Sequence, residues 1–414
     1  MANPQPILSR RTVIFAEIEQ NNDSVSSYAG GPPGVVTLNT GGLSTDAEIG
    51  KEVIIYDGSE DDHTAVHRTV ITDNAASTIT LLERPDGVFT PQATDEVKIL
   101  NYAKSSIDPS STAARAILCT MPELTFNGEM LARDYTTKSL TKLEGVMGNK
   151  SVNIAFSCEI KGNGGGGASL PTLNKLDPLL RACGFSRTDT TASTSYREYT
   201  PADEAQESVC IDVFADGLKY VIRGCVGNAT FKFEQGKISM IDFEFTGLYA
   251  DPTSEAIPSY TYDSTLPKIL TYASLQGFGS TDVPASTLEM NMNNEIIDYY
   301  NMSKQAAGDA ERYMIANRAP SGSFNPQGVI VEDTNWFNKF STSGTSGTFS
   351  LRVGGNTSTG AVVSGQSVDF TFGAKSQAGT IGLTDDGGIR RFEVGFNVAA
   401  ALTAPNTDLS IKFY

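Results

Sequence analysis

Ser151-Val-Asn-Ile-Ala-Phe-Ser-Cys-Glu-Ile160 is the stretch whose reading decides the fold. Val152, Ile154, Phe156, Cys158 and Ile160 fall on one side, and Ser151, Asn153, Ala155, Ser157 and Glu159 on the other. A period of two is that of a β-strand with one buried face. The same pattern recurs in Ile241-Asp-Phe-Glu-Phe245, where the apolar residues point one way and the carboxylates the other. Strands are expected at Val209–Phe214, Val226–Phe233 and Ile238–Phe245. Leu173, Leu176, Leu179 and Leu180 have the spacing of a helix stripe, so a helix is expected over 173–183 with Gly184 as its C-terminal cap. Between Asp134 and Ser151 runs a polar connection, long enough to be functional or disordered rather than a plain turn.

On the N-terminal side, Thr12–Glu19 reads as one strand, and Pro32-Pro33 marks a boundary. From Val35 to Tyr102 come strand candidates at Val53–Tyr56, His67–Thr72, Thr78–Leu82 and Glu96–Leu100, separated by Asp-Gly, Asp-Asn and Pro-Asp-Gly turns. This reads as a self-contained β module of roughly 70 residues, near the lower size for independent folding. Ser105–Thr112 is a linker. After Asp251-Pro252 and a Pro/Ser/Tyr segment to Pro267, the order of elements repeats. A strand (Leu288–Ile296), a polar loop (Asp298–Glu311) and a strand (Arg312–Asn317) precede a short helix at Val331–Phe340, which carries Trp336. Strands at Phe349–Val353, Val368–Phe372, Phe392–Val398 and Asp408–Phe413 follow. The duplication rests on element order, not on identity.

The 414 residues suggest two to three domains at about 150 residues each. With 31 basic and 48 acidic residues the formal net charge is -17, which disfavours gripping a polyanion. Five scattered cysteines without a Cys-x-x-Cys pair fit a reducing compartment better than a disulfide framework. The start has no signal-peptide pattern, and no apolar run approaches the ~20 residues of a membrane span. His63 and His67 are spaced i, i+4 but lie in a strand or turn, without the Glu of His-Glu-x-x-His. Gly162-Asn-Gly-Gly-Gly-Gly167 lacks the Gly-Lys-Ser/Thr ending of a phosphate loop. Asp61-Asp62 and Asp385-Asp386 read as turn residues rather than cation ligands. No nucleophile–base pattern emerges, so neither catalysis, cofactor nor metal is expected.

Taken in order, Ala-Ile-Leu-Cys-Thr-Met-Pro-Glu-Leu (116–124), Leu-Ala-Arg-Asp (131–134), Lys150–Gly162, Pro178–Phe185 and Phe243–Tyr249 resemble the tail tube (major tail) proteins of long-tailed bacteriophages. Phe15–Glu19, Asn291–Ile296, Asn317–Pro320 and Ala374–Gln377 are further patches similar to that family. The likeness covers about Thr12–Gly31 and Ala113–Tyr414, and the 35–102 module interrupts it. The resemblance implies a mainly β (α+β) fold. Two tail-tube-type β-sandwich domains, at 113–250 and 268–414, would each carry a flanking short helix. Residues 1–31 would give the first of them its N-terminal strand, and 35–102 would be a small inserted all-β decoration module, expected on the outer surface.

The resemblance further implies a structural virion protein whose inner sheets join around a ring, the rings stacking into a channel for DNA. Two tube domains per chain would give trimeric, pseudo-sixfold rings, with hexameric rings as the alternative. The implied partners are the chain itself and the tape-measure, tail terminator and tail tip proteins. Viral DNA passes without specific binding, and no membrane is involved. Assembly is expected in the host bacterial cytoplasm, ending in the virion tail.

Period-two counting supplies lumen candidates: Glu129, Glu159, Asp212, Asp242, Glu244, Glu289, Asp369 and Glu393. Any solvated antiparallel face shows such alternation, so their lumen role comes from the resemblance. Loops 135–150 and 298–311 would reach the neighbouring ring through Tyr135, Lys138, Lys142, Glu144 and Lys150, and through Tyr299, Tyr300, Lys304 and Asp309. Trimming Asp298–Glu311 is expected to leave folded subunits that stack poorly. The competing expectation is a multi-module β adhesin for a bacterial surface glycan, weakened by a single tryptophan.

Overall fold

In the computed structural model, residues 12–29, 35–38, 52–56, 66–75, 77–81, 96–100, 116–136, 141–162, 164, 169–203, 206–270, 285–300, 310–328, 335, 337, 347–355, 361–399 and 406–414 are described. The chain divides into two units, one of Ile18–Lys104 and one of Met1–Glu17 with Ser105–Tyr414.

Strand β1 (Thr12–Ile18) opens the larger unit. Strands β2 (Gln20–Ala29), β3 (Val35–Leu38), β4 (Glu52–Tyr56), β5 (Val66–Ala75), β6 (Thr78–Leu81) and β7 (Glu96–Leu100) then close a barrel in the order β2-β3-β6-β5-β4-β7. Its core holds Val36, Val53, Ile55, Ile71, Ile79 and Val97, all fully buried. The barrel takes in β2, a polar stretch without apolar alternation, within the 1–31 segment that the resemblance assigns to the first tube domain. Closure removes the free edges a small sheet would otherwise expose.

Strand β8 (Ala116–Ile117) returns to pair with β1, Ile14 standing opposite Ile117. The larger unit continues with β9 (Glu123–Leu131), β10 (Val146–Glu159), α1 (Asp177–Ala182), β11 (Phe185–Thr190), β12 (Tyr196–Pro201), β13 (Val209–Ala215), β14 (Leu218–Glu234), β15 (Met240–Leu248) and β16 (Thr253–Ser254). It ends with β17 (Ala285–Asn291), β18 (Asn294–Tyr299), β19 (Arg312–Arg318), β20 (Ser321–Pro326), β21 (Gly347–Val353), β22 (Val368–Asp386), β23 (Ile389–Asn397) and β24 (Leu409–Phe413).

Eight strands lie side by side, all antiparallel, in the order β9-β10-β15-β14-β17-β20-β23-β22. The first four and the last four repeat one order. Leu124 faces Ile154, which faces Phe245; likewise Leu288 faces Phe324, which faces Val394. Phe243-Glu-Phe245 and Phe392-Glu-Val394 thus occupy equivalent places. The halves meet at a seam between β14 and β17, where Phe231 stands opposite Met290.

A second layer covers the apolar face. The first part of β22 pairs with β21 and β24, and β24 pairs with β12, so the C-terminal strand ties both halves together. Phe370 of this layer packs edge-on to Phe231 and Phe233 of the seam strand, at 5.6 and 4.9 Å between centroids. Burying each such ring contributes roughly 1.5–3 kcal/mol. The main core spans both halves without interruption, which makes them one packed body.

The helix is shorter than the leucine spacing predicts. Pro178 occupies the first turn, and Asn174 turns the chain ahead of it by accepting from the Leu176 N–H at 2.9 Å. Leu173 is left exposed, while Leu176, Leu179 and Leu180 are buried. The strand expected over 288–296 is broken at Asn293, whose φ of 48° ends β17 and starts β18. The second expected helix, with Trp336, lies almost wholly outside the described residues.

Candidate functional site: a polar sheet face, its seam and its edges

The face of the eight-stranded sheet away from the core is polar across the seam. One row runs Ser157, Asp242, Thr230, Asn291, Ser321 and Asn397, each opposite the next. A second runs Lys232, Glu289, Ser323, Gly395 and Thr380. Glu129, Glu159, Asp242, Glu244, Glu289 and Glu393 all share the outward parity of these rows, with Glu129, Glu244, Glu289 and Glu393 exposed. Lys232 is bound to Asp242 at 2.6 Å. That hydrogen bond, against some desolvation and with help from the Asp242 and Glu289 charges, holds the Lys232 amine above its ordinary range. A face this rich in carboxylates, with Lys232 committed to one of them, offers little to a phosphate.

Two expected members do not belong to it. Asp212 is 1% exposed and paired with Lys219 at 3.1 Å. Strand β13 is covered on both faces, its second side by a small core of Val13, Phe15, Ala116, Cys210, Phe214 and Val221, so its alternation does not mark a solvent face. Asp369 sits in the covering layer, where Phe370 points into the sandwich and Asp369 away from it; Arg352 donates to its two oxygens from Nε and Nη2, each at 2.5 Å. Strand parity is right there, but the layer is the other one.

At the seam the sheet is laced by asparagines: Asn228 of β14, and Asn291, Asn293 and Asn294 of the patch Asn291–Ile296. Asn228 donates to Asn291 Oδ1 at 2.7 Å, which also accepts from the Asn293 N–H at 2.7 Å. Asn294 donates to the Cys183 and Gly227 carbonyls, both at 2.9 Å. Gly227 itself is required by close approach: a Cβ there would run into the Phe245 ring. Gly322, opposite Phe396, meets the same constraint in the second half.

The two edges are unlike the seam. Among the described pairings β9 bonds only to β10, and residues 377–386 of β22 only to β23. Phe126, Met130 and Leu131 on the first edge, and Leu383 on the second, are each between 47% and 67% exposed.

The connection at 134–151 is in fact the far end of a β9–β10 hairpin arm: β10 already begins at Val146, which faces Leu131. Tyr135 is 70% exposed under the Arg133 guanidinium, 6.0 Å from its ring centre, and Lys142 and Glu144 are exposed. Lys150 instead lies over the Tyr249 ring at 5.5 Å. The second connection is likewise shortened, because Asp298 and Tyr299 belong to β18 and the Glu311 N–H closes on the Tyr299 carbonyl. Tyr299 lies beneath Arg312 at 4.8 Å. Tyr300 accepts from Asn149 at 2.9 Å and donates to Asp298 at 3.2 Å, which clasps the two arms together. Lys138, Lys304 and Asp309 fall outside the described residues, as do Asp61, Asp62 and His63. Asp385 acts as a turn residue, accepting from the Gly388 N–H at 2.9 Å.

The polar rows cross the seam of the two half-sheets, and towards one end of the same face Val226 and Leu248 pack beneath Tyr313 and Ile315. A family profile described as phage tail tube protein matches residues 86–407, and the chain belongs to that family. The family is structural and forms the multimeric tube of a phage tail, so the chain is a virion tail component. Comparison with curated proteins gave no match.

Proposed function

We propose that this chain is the repeating ring subunit of the tail tube, with two tube-type halves in tandem, and that three copies close a pseudo-sixfold ring. The observation that carries this is the repeated strand order joined at the β14–β17 seam. The seam places the last strand of one half against the first strand of the next. The same junction made between copies would bring the free edge of β22 against β9 of a neighbour. Such a head-to-tail contact closes into a ring when the rotation per subunit permits, and it pairs both edges.

Mapping one half on the other, Phe231 corresponds to Asp385 and Met290 to Phe126. The neighbour junction then sets Thr384 opposite Asn127, as Thr230 stands opposite Asn291 in the seam. The polar face lines the lumen, where Glu129, Glu159, Asp242, Glu244, Glu289 and Glu393 repel passing DNA. The β9–β10 arm, with Tyr135, Lys142 and Glu144 towards its tip, serves ring stacking. Tape-measure, terminator and tip proteins are the further partners, and assembly precedes release from the host.

Electron microscopy of the concentrated protein tests the reading. Top views should show a central hole and three subunits per ring. Rings of six whole subunits would refute the tandem-wall assignment, and monomers that bind a bacterial glycan at high concentration would refute the tube role.

A further inference from the structure

Cys119 and Cys158 stand opposite one another in an isolated antiparallel bridge. The Thr120 N–H donates to the Ser157 carbonyl at 2.9 Å, so Thr120–Ser157 is the hydrogen-bonded pair. Cys119–Cys158 is then the adjacent non-hydrogen-bonded pair, where opposed side chains come closest, with Cα atoms about 4.5 Å apart. Disulfides span Cα separations of about 4.4–6.8 Å. Cys158 belongs to the main core and Cys119 packs against it, which puts both thiols on the same side. Both are free thiols, and Cys119 is the more exposed. The bridge also has a telling position. The chain between the two cysteines contains the whole β9–β10 arm, so the pair sits at the arm's root.

We propose that Cys119 and Cys158 form a redox site, closing an intramolecular disulfide that staples the root of this arm when the protein meets a small-molecule disulfide. The Cys119 thiolate attacks one sulfur of the oxidant, whose S–S bond breaks and releases one thiolate. Cys158, deprotonated in turn, attacks Cys119 Sγ and expels the second. The two cysteines are oxidised, the small disulfide is reduced to two thiols, and the two cysteine protons end on those thiols.

The step is slow in neutral solution. Burial pushes the Cys119 thiol up to about 12; burial first, then the Cys119 neighbour, holds the Cys158 thiol well above its ordinary range. Glu159 and Asp242 add to the rise at Cys158 and Lys161 opposes it, while Tyr262 faces Cys119. Thiolate is the attacking species, so the first attack quickens about tenfold per pH unit while the medium stays below the Cys119 value. The staple thus forms over long residence in an oxidising medium rather than during folding in a reducing one.

The test is incubation of the full chain with oxidised glutathione at about pH 9, alkylation of remaining thiols and peptide mapping. Two of the five thiols should vanish, with the peptides of Cys119 and Cys158 joined within one chain and released by dithiothreitol. Cys119→Ala should abolish the link and Cys210→Ala should keep it. The oxidised protein should melt several degrees higher than the reduced one. Five persistent thiols in the folded chain, while the urea-unfolded chain oxidises, would overturn the proposal. So would a stable glutathione adduct on Cys119 that Cys158 never displaces. The wild-type map decides alone if the Cys119 variant does not fold.

Discussion

Strand β17 meets β14 across a finished seam, whereas among the described residues its counterpart β9 pairs with β10 alone. At the seam Phe231 and Met290 are fully buried, Asn228 donates to Asn291, and Asn294 donates to the Cys183 and Gly227 carbonyls. On β9 the residue equivalent to Met290 is Phe126, 47% exposed and leaning on Tyr220 and Tyr249 at 5.8 and 6.1 Å. The same strand position is therefore core in one half and surface in the other. The difference teaches that the first half is complete only on one side. The seam with β17 supplies its other side, and in the proposed ring the remaining edges take up a neighbouring copy.

The comparison can be broken most forcefully at the seam. Phe231→Ala should cost about 3–5 kcal/mol, because the cavity would open beneath Phe185 and Phe370. A urea midpoint unchanged from wild type would mean that the seam is not core.

A second test sits farther up the same strand. Lys219→Met strands the buried Asp212 carboxylate and should cost about 3 kcal/mol at neutral pH while leaving both edges intact. Burial works against the Lys219 charge, but Asp212 and Glu255 outweigh it and raise its pKa. The stabilisation is thus full below the unfolded lysine value of about 10.4 and is lost as pH rises through the higher folded value. Alkaline denaturation curves should show this loss in wild type and not in Lys219→Met.

Changes at the edges should have the opposite signature. Met130→Lys with Leu383→Lys should alter subunit stability by less than about 0.5 kcal/mol, since both side chains are solvated, yet abolish tubes. Calorimetry and microscopy on one sample separate the two effects; tubes of normal length would remove these edges from assembly. The smallest effect on stability is expected on the polar face. Glu244→Gln with Glu393→Gln should leave folding and tubes alone but slow the escape of fluorescent DNA from the channel. An unaltered escape time would remove repulsion from the account.

Much of this architecture was legible in the sequence because each informative strand has one buried face. Residues 151–160 and 241–245 declare their faces by alternation, which sets Glu159, Asp242 and Glu244 on the side away from the core. Asp212 was misread because β13 is covered twice, and alternation has no way to report a second lid. Asp369 was misread because parity gives the face of a strand and not the layer it belongs to. The long strand β22 serves both layers, so only part of it was visible: Gly373–Thr380 carries no apolar period. Gln20–Ala29 was silent because a strand of polar residues has no hydrophobic signature. The seam asparagines were silent for a related reason, since asparagine in a short motif reads equally well as a turn.

The most direct test of the account is a cysteine pair, Thr384→Cys with Asn127→Cys, oxidised in assembled tubes and run without reductant. If the junction between copies repeats the seam, the products form a ladder that ends at a covalent trimer, and the single variants give none. A ladder absent from well-formed tubes, or one obtained equally with Thr125→Cys in place of Asn127→Cys, would contradict the claim that the internal seam is the template for the ring.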